Sequence, residues 1–194
     1  MSDISLIKEL RERTGAGVVD AKTALDGASG DIEQAIQLLR KKGQAKALKK
    51  AGRDASQGII ETYVHEGRVG VIVELNSESD FVAKNDKFKE LAHEIALQIA
   101  ATDPKVVSSD QVTDEMLAKE KEVAMEDLKD KPAKIAEKAL EGKLRKFAES
   151  QALLTQSTIK NPDETVQEMI TRYVTQLGEN IQVGRFSRLE IGRE

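Results

Sequence analysis

The fold is decided at Glu74-Leu-Asn-Ser-Glu-Ser-Asp-Phe-Val-Ala-Lys-Asn-Asp-Lys-Phe88, where a strand pattern meets a helix pattern. On the N-terminal side, apolar residues alternate along the chain and predict a strand: Val69, Val71, Val73 and Leu75. On the C-terminal side, apolar residues recur at helical spacing: Phe88, Leu91, Ala92, Ile95, Ala96, Ile99 and Ala100. Asn85 is placed to cap this helix, because its side-chain oxygen can accept a hydrogen bond from the first turn.

Ser79-Asp80-Phe81-Val82 forms the predicted loop between this strand and this helix. A large aromatic ring beside a carboxylate is unusual in a loop, since turn-forming residues dominate there. One interpretation is that Phe81 tucks back under the helix and joins the core. The other is that Phe81 inserts into a partner protein, since aromatic side chains often anchor interfaces.

The composition narrows the class of protein. The chain has 194 residues, which is enough for one domain or for a small domain attached to a larger one. Its 30 basic and 34 acidic residues give a net charge of −4, which argues against direct nucleic-acid binding as the main function. The sequence has no cysteine, which excludes disulfides and cysteine-based zinc sites and fits a reducing compartment.

The sequence also gives an expectation for location. No apolar run approaches the ~20 residues that a helix needs to span a bilayer. The N-terminus lacks the pattern of a signal or transit peptide. A cytoplasmic protein without a membrane partner is therefore expected.

Residues 4–42 are predicted to form three short helices, each with an apolar face. Asp31 is placed to cap the third helix, and Gly43 is placed to end it. The next feature is a basic segment, residues 40–53, which carries seven basic side chains and no acidic one. It is interpreted either as a solvated helical linker or as a contact with an acidic partner surface, which would speed association.

The remaining chain is predicted to add a hairpin and a helix with a weak apolar stripe. Residues 57–76 alternate like two strands, with Glu66-Gly67 as the turn. Residues 113–129 have helical spacing but few apolar positions, so this helix is expected to be more exposed.

Two further helices and a strand are predicted at the C-terminal end. Lys131-Pro132 opens the first of these helices, Asn161-Pro162-Asp163-Glu164 opens the second, and Gly178 ends it. Residues 180–191 read as a strand in which Gly184 is a candidate bulge. The predicted fold class is α+β, with an N-terminal three-helix bundle followed by a small antiparallel sheet packed with α-helices.

No motif predicts covalent chemistry. His65 and His93 lack partners at the spacing of a metal site or a catalytic triad, and both are predicted to be surface residues. No glycine-rich phosphate loop occurs. Glu74, Glu78 and Asp80 leave open a paired-carboxylate or metal site, although this is the less favoured interpretation. We expect no enzyme activity, no cofactor and no metal.

Several segments carry a resemblance to a known family. Ser79-Asp80-Phe81-Val82 resembles the Thr-Asp-Phe-Val signature of the elongation factor Ts family, with serine in place of threonine. The stretch Leu6-Ile-Lys-Glu-Leu-Arg-Glu-Arg-Thr-Gly-Ala-Gly17 resembles the ubiquitin-associated-like (UBA-like) N-terminal domain of that family. Further matches include Lys134-Ile-Ala-Glu-Lys138 and Gly178-Glu-Asn-Ile181, so that the resemblance covers nearly the whole chain, with a departure at Gln156-Ser-Thr-Ile159.

The resemblance implies a domain organisation. Residues 1–42 would be the UBA-like three-helix domain, residues 43–56 a basic linker, and residues 57–194 the dimerisation and core domain. Longer members of the family carry two copies of the core subdomain, whereas this chain has room for one. This implies a homodimer that binds two partner molecules in a two-plus-two complex.

The resemblance also implies a function. Members of the family are guanine-nucleotide exchange factors that promote release of GDP and Mg²⁺ from elongation factor Tu during translation elongation. The alternative is a non-exchanging adaptor that binds ubiquitin-like folds or nascent chains through its three-helix domain. That alternative leaves the Asp80-Phe81 loop without a role.

Two groups of contact residues follow from the same resemblance. The signature residues are expected to enter the GTPase near its bound Mg²⁺: Ser79, Asp80, Phe81 and Val82. Residues of the N-terminal domain are expected to contact the GTPase domain elsewhere: Leu10, Arg11, Thr14, Val18 and Lys22.

Overall fold

The computed structural model describes residues 4–129 and 132–193. The predicted domain ranges also include residues 1–3, 130–131 and 194, which lie outside the described residues. The described ranges contain eight α-helices and three strands: α1 (Ile4–Thr14), α2 (Val18–Gly27), α3 (Ile32–Lys50), β1 (Gln57–His65), β2 (Val69–Ser77), α4 (Asp80–Ala83), α5 (Asp86–Thr102), α6 (Asp114–Asp127), α7 (Ala133–Gln151), α8 (Val166–Leu177) and β3 (Ile181–Glu190). The predicted α+β class is confirmed.

Helices α1, α2 and α3 enclose a small core of their own. Its buried members come from all three helices and from the turn after α2: Leu10, Ala21, Ala24, Leu25, Ala28 and Ala35. Asp31 caps α3 as predicted, because its carboxylate accepts a hydrogen bond from the Gln34 backbone N–H at 2.9 Å. The three predicted helices are thus present, while the domain bounds remain a prediction.

Helix α3 does not end at Gly43 but continues to Lys50, so the predicted stop is wrong. Gly43 is buried where α3 packs against α8, and a Cβ atom there would lie 3.3 Å from Thr175 Oγ1. The missing side chain lets the two helices approach closely. This packing offsets the lower helix propensity of glycine, about 1 kcal/mol relative to alanine.

The basic segment is helical up to Lys50, but several of its cations are bound within the chain. The ammonium groups of Lys42 and Lys46 lie 2.7 Å and 3.1 Å from the two carboxylate oxygens of Asp20 on α2. Both hydrogen bonds lower the pKa of Asp20. Lys50 donates a hydrogen bond to the backbone carbonyl of Gly178, beyond α8. Parts of the segment are therefore anchored to α2 and to the turn after α8, while its assignment as a linker stays a prediction.

Strand β2 is the middle strand of an antiparallel sheet with the order β1-β2-β3. Its alternation places three buried residues on the face that packs against α5: Val71, Val73 and Leu75. Phe88 on α5 is completely buried in the same core. The predicted strand and helix on either side of residues 79–82 are thus confirmed.

The opposite face of the sheet carries exposed aliphatic side chains among polar ones such as Thr62, Glu74 and Ser187. Cross-strand register places Ile72 beside Thr62, and Leu189 beside Gly70. We call this surface the outer sheet face and define it by its four exposed aliphatic residues: Ile60, Val64, Ile72 and Leu189.

Strand β3 contains the predicted bulge. Val73 pairs with Phe186 and Leu75 with Val183, so Gly184 and Arg185 together oppose Glu74. A Cβ atom on Gly184 would lie 2.7 Å from a carboxylate oxygen of Glu74. The absence of a side chain on Gly184 therefore leaves room for the Glu74 carboxylate.

Helices α6 and α7 pack against each other as a helical pair. Of the residues in α6, Ala124 is buried, whereas Val123 and Met125 are more than half exposed, which confirms the predicted exposure. Helix α7 begins directly after Pro132, as predicted; Lys131 lies outside the described residues. None of the helices in the described ranges has the length and apolar character to cross a membrane.

Candidate partner-binding site

The segment between β2 and α5 contains a single helical turn, α4, where a short loop is predicted from the sequence, so that prediction is wrong. Ser79 is its N-cap, because its hydroxyl oxygen accepts a hydrogen bond from the Val82 backbone N–H at 3.4 Å. Asp80 occupies the first turn, where a negative side chain is favourable. A turn of four residues is too short to show helical periodicity, so no helical pattern is recognisable there.

Phe81 projects from α4 into solvent, with 83% of its surface exposed. The core-plug interpretation is therefore wrong. Phe88, seven residues later, is the phenylalanine of the core. Val82 is half-buried against the main core, and Ala83 is buried, so the turn itself is fixed to the domain. The Phe81 ring therefore projects from a turn that is fixed to the domain. Burial of this ring by a partner would contribute about 1.5–3 kcal/mol to the binding free energy.

Asp80 places a negative charge beside this ring. The Lys84 ammonium lies 2.7 Å from its carboxylate oxygen, one helical turn away, and this hydrogen bond lowers the pKa of Asp80. The carboxylate is half-exposed and keeps oxygen atoms available to accept hydrogen bonds from a partner. An exposed ring and an exposed charge thus share one turn.

Glu179 holds the start of this turn from the side of α8 and β3. One of its carboxylate oxygens accepts a hydrogen bond from the Ser79 backbone N–H at 2.9 Å, and the other accepts one from the Ser79 hydroxyl at 2.6 Å. The neighbouring residues are joined in the reverse sense. The Asn180 backbone N–H donates a hydrogen bond to the Glu78 carboxylate at 2.6 Å. Residues 78–79 and 179–180 are therefore joined by two carboxylates.

The three acidic residues near the turn do not form a paired-carboxylate site. Each hydrogen-bonds its own donors: Glu74 with Asn76 and Arg185, Glu78 with the Asn180 N–H and Arg53, and Asp80 with Lys84. These hydrogen bonds lower the pKa of all three side chains, whereas a general acid at neutral pH needs a raised pKa. Within the described part of the chain, no group of three or more His, Cys, Asp or Glu side chains could hold a metal ion.

The predicted contact residues of the N-terminal bundle differ in exposure. Three of them lie on the surface: Arg11, Val18 and Lys22. Thr14 is half-buried, and its hydroxyl donates to the Leu10 carbonyl at 2.6 Å. Leu10 is completely buried in the bundle core, so its side chain is not on the surface, and its contact with the GTPase domain stays a prediction. Its helical spacing with Ile7 is that of a core position.

The two histidines lie on the surface, as predicted. His93 on α5 contacts the Glu61 carboxylate at 3.1 Å, and the Tyr63 hydroxyl lies 3.0 Å from His65 Nδ1. The Tyr63 ring also meets the His93 ring edge-on, with centroids 5.8 Å apart. These contacts join β1 to α5.

Sequence reasoning missed two residues of the site. Lys84 follows Asp80 by four positions, and this spacing would have indicated an ion pair if the segment had been recognised as helical. Glu179 lies 100 positions from Ser79, and no local pattern relates the two. Only the packing of β3 beside β2 brings them together.

Comparison with known proteins identifies the family. The family model described as "Elongation factor TS" matches residues 18–193. The chain is 50% identical to elongation factor Ts of Carboxydothermus hydrogenoformans over 190 residues, which covers 96% of this chain and 88% of the relative. It is 51% identical to that of Fervidobacterium nodosum, with 96% of each chain covered, and 50% identical to that of Thermotoga neapolitana, with 98% of each covered. The chain therefore belongs to the elongation factor Ts family of translation elongation factors.

Proposed function

We propose that this chain is a guanine-nucleotide exchange factor that promotes release of GDP and Mg²⁺ from elongation factor Tu in the cytoplasm. The observation that carries the proposal is the exposed Phe81 ring beside the charged Asp80 on a fixed turn, in the segment that resembles the family signature. Membership of the family supports the same partner. The proposal needs no covalent step, no cofactor, no membrane and no nucleic acid.

The proposed mechanism is preferential binding of the nucleotide-free GTPase. Phe81 would enter an apolar pocket of elongation factor Tu, while Asp80 would compete for hydrogen-bonding groups around the bound Mg²⁺. GDP and Mg²⁺ are held by charge-assisted contacts, so their release requires a competing source of free energy. An acceleration of ~10⁴ requires about 5.5 kcal/mol of preferential stabilisation. The gain of about 1.5–3 kcal/mol from the ring supplies part of it.

The exposed residues of the bundle supply a second contact in this proposal. Arg11, Val18 and Lys22 would bind the GTPase domain away from the nucleotide. Their binding energy would hold α4 against the Mg²⁺ region. The packing of α3 against α8 fixes the bundle relative to the core, so the two contacts can act together.

The affinity for elongation factor Tu, with and without GDP, tests this proposal. Coupling between ligands is reciprocal, so a factor that weakens GDP binding must itself be weakened by GDP to the same extent. We expect tight binding to nucleotide-free elongation factor Tu and a loss of affinity on the order of 10⁴-fold in saturating GDP and Mg²⁺. The same affinity in both states, measured by calorimetry, would contradict exchange and favour the adaptor interpretation.

We also propose that two copies of the chain pair through the outer sheet face. The outer sheet face exposes four aliphatic side chains, which a second sheet packed against it would remove from water. A second copy offers the same surface, and two sheets packed face to face would bury both as a β-sandwich. Each pair would then carry two α4 turns and bind two molecules of elongation factor Tu.

Charge on the outer sheet face is expected to break this dimer. Ile72→Glu would place two carboxylates in the twofold interface, and we expect the dimer affinity to fall by about 100-fold or more. Ile135→Glu is the matched control, since Ile135 is also exposed but lies on α7. Sedimentation equilibrium should show dimers for the wild type and Ile135→Glu, and monomers for Ile72→Glu. A monomeric wild type at micromolar concentration would contradict the proposed pairing.

A further inference from the structure

The turn between α8 and β3 contacts the start of α4 through the Glu179 carboxylate. The Ser79 hydroxyl donates its hydrogen to Glu179 while its oxygen accepts from the Val82 N–H. A hydroxyl group can fill both roles at once. Glu179 therefore fixes the rotamer in which Ser79 caps the turn that carries Phe81.

The same turn is tied to the end of α3. Lys50 donates to the Gly178 carbonyl, and the Asn180 side-chain amide donates to the Arg53 carbonyl at 2.8 Å. Asn180 is buried, so water competes little for this hydrogen bond. Residues 178–180 thus contact both the helix that leaves the N-terminal bundle and the turn that carries Phe81.

We propose that Glu179 is a positioning residue that orients α4 for entry into the GTPase. An isolated helical turn of four residues is unstable in water, because helix formation has a costly nucleus. The Glu179 hydrogen bonds order the turn before binding, so less conformational freedom is lost when the partner binds, and preorganisation of this kind increases affinity. This inference rests on the proposed exchange function and adds a residue that itself need not touch the partner.

The first test compares Glu179→Ala with Glu168→Ala, a matched control on α8. The Glu168 carboxylate also accepts hydrogen bonds from a backbone N–H and a hydroxyl, both of Thr165, at 2.9 Å and 3.1 Å. Both variants are expected to remain folded. Amide hydrogen exchange of residues 79–84 should speed up about tenfold in Glu179→Ala and stay unchanged in Glu168→Ala. Unchanged protection of residues 79–84 in Glu179→Ala would overturn the inference.

The second test measures GDP release from elongation factor Tu at saturating factor. Glu179→Ala should lower the maximal release rate about tenfold, and Glu168→Ala should leave it unchanged. Adding Glu179→Ala to Phe81→Ala should cause little further loss, because both changes act through the same turn. Glu179→Gln keeps one acceptor oxygen and should recover part of the rate.

The two tests separate the inference from the proposed function. If the wild type accelerates release and Glu179→Ala accelerates it equally, the positioning role is wrong while the exchange function stands. If the wild type gives no acceleration, the exchange function is wrong. The hydrogen-exchange comparison then decides alone whether Glu179 orders α4.

Discussion

Phe81→Ala is expected to slow the release of GDP from elongation factor Tu about 10- to 150-fold without destabilising the protein. The rate loss follows from the removal of a ring whose burial in a partner gains about 1.5–3 kcal/mol, where each 1.4 kcal/mol is a factor of ten. The stability of the unbound protein is expected to fall little, because 83% of the Phe81 surface is already exposed to water. Stopped-flow release of a fluorescent GDP measures the rate, and thermal unfolding measures the stability.

A graded control sharpens this prediction. Phe81→Leu keeps an apolar side chain of smaller size, so its rate should fall between those of the wild type and Phe81→Ala. Unfolding of Phe81→Ala at moderate temperature would mean that the ring supports the core. An unchanged release rate would mean that α4 is not the contact.

Phe88→Ala is expected to lower the stability of the protein and to leave the release of GDP by the folded protein unchanged, which is the opposite of the result expected for Phe81→Ala. This ring is completely buried between α5 and the sheet, so its removal leaves a cavity and should lower the free energy of unfolding by about 3–5 kcal/mol. Urea denaturation monitored by circular dichroism measures the loss. The fraction that stays folded should still accelerate GDP release, because α4 and Phe81 are unchanged.

The Phe81 and Phe88 variants therefore serve as controls for each other, one for the rate of exchange and the other for stability. Phe88→Leu, which keeps most of the apolar volume, should recover much of the lost stability. A loss below about 1 kcal/mol for Phe88→Ala would be too small for a core position of this kind. Loss of exchange in the folded fraction would mean that the core and α4 are not independent.

The regular elements could be predicted because their patterns are local. Strand β2 alternates along its length, and α5 repeats apolar residues at helical spacing, so both are encoded within fewer than twenty residues. The caps at Asp31 and Asn85 are equally local, because each side chain accepts a hydrogen bond from a backbone N–H two or three positions later.

The errors involve contacts between distant segments or elements too short for a pattern. Gly43 was predicted to end a helix, but it lies inside α3 and permits contact with α8. The exposure of Phe81 could not be decided from its neighbours in sequence. A phenylalanine that joins the core and one that inserts into a partner protein both fit the same pattern. Glu179 joins the site only through the pairing of β3 with β2.

Release of a fluorescent GDP from elongation factor Tu, with and without this chain, tests the central claim most directly. The account predicts a large acceleration by the wild type at constant Mg²⁺ and its loss in the Asp80→Ala, Phe81→Ala double variant. No acceleration by a folded wild-type chain, with its cognate elongation factor Tu, would contradict the account. It would leave the adaptor interpretation of the three-helix bundle in its place.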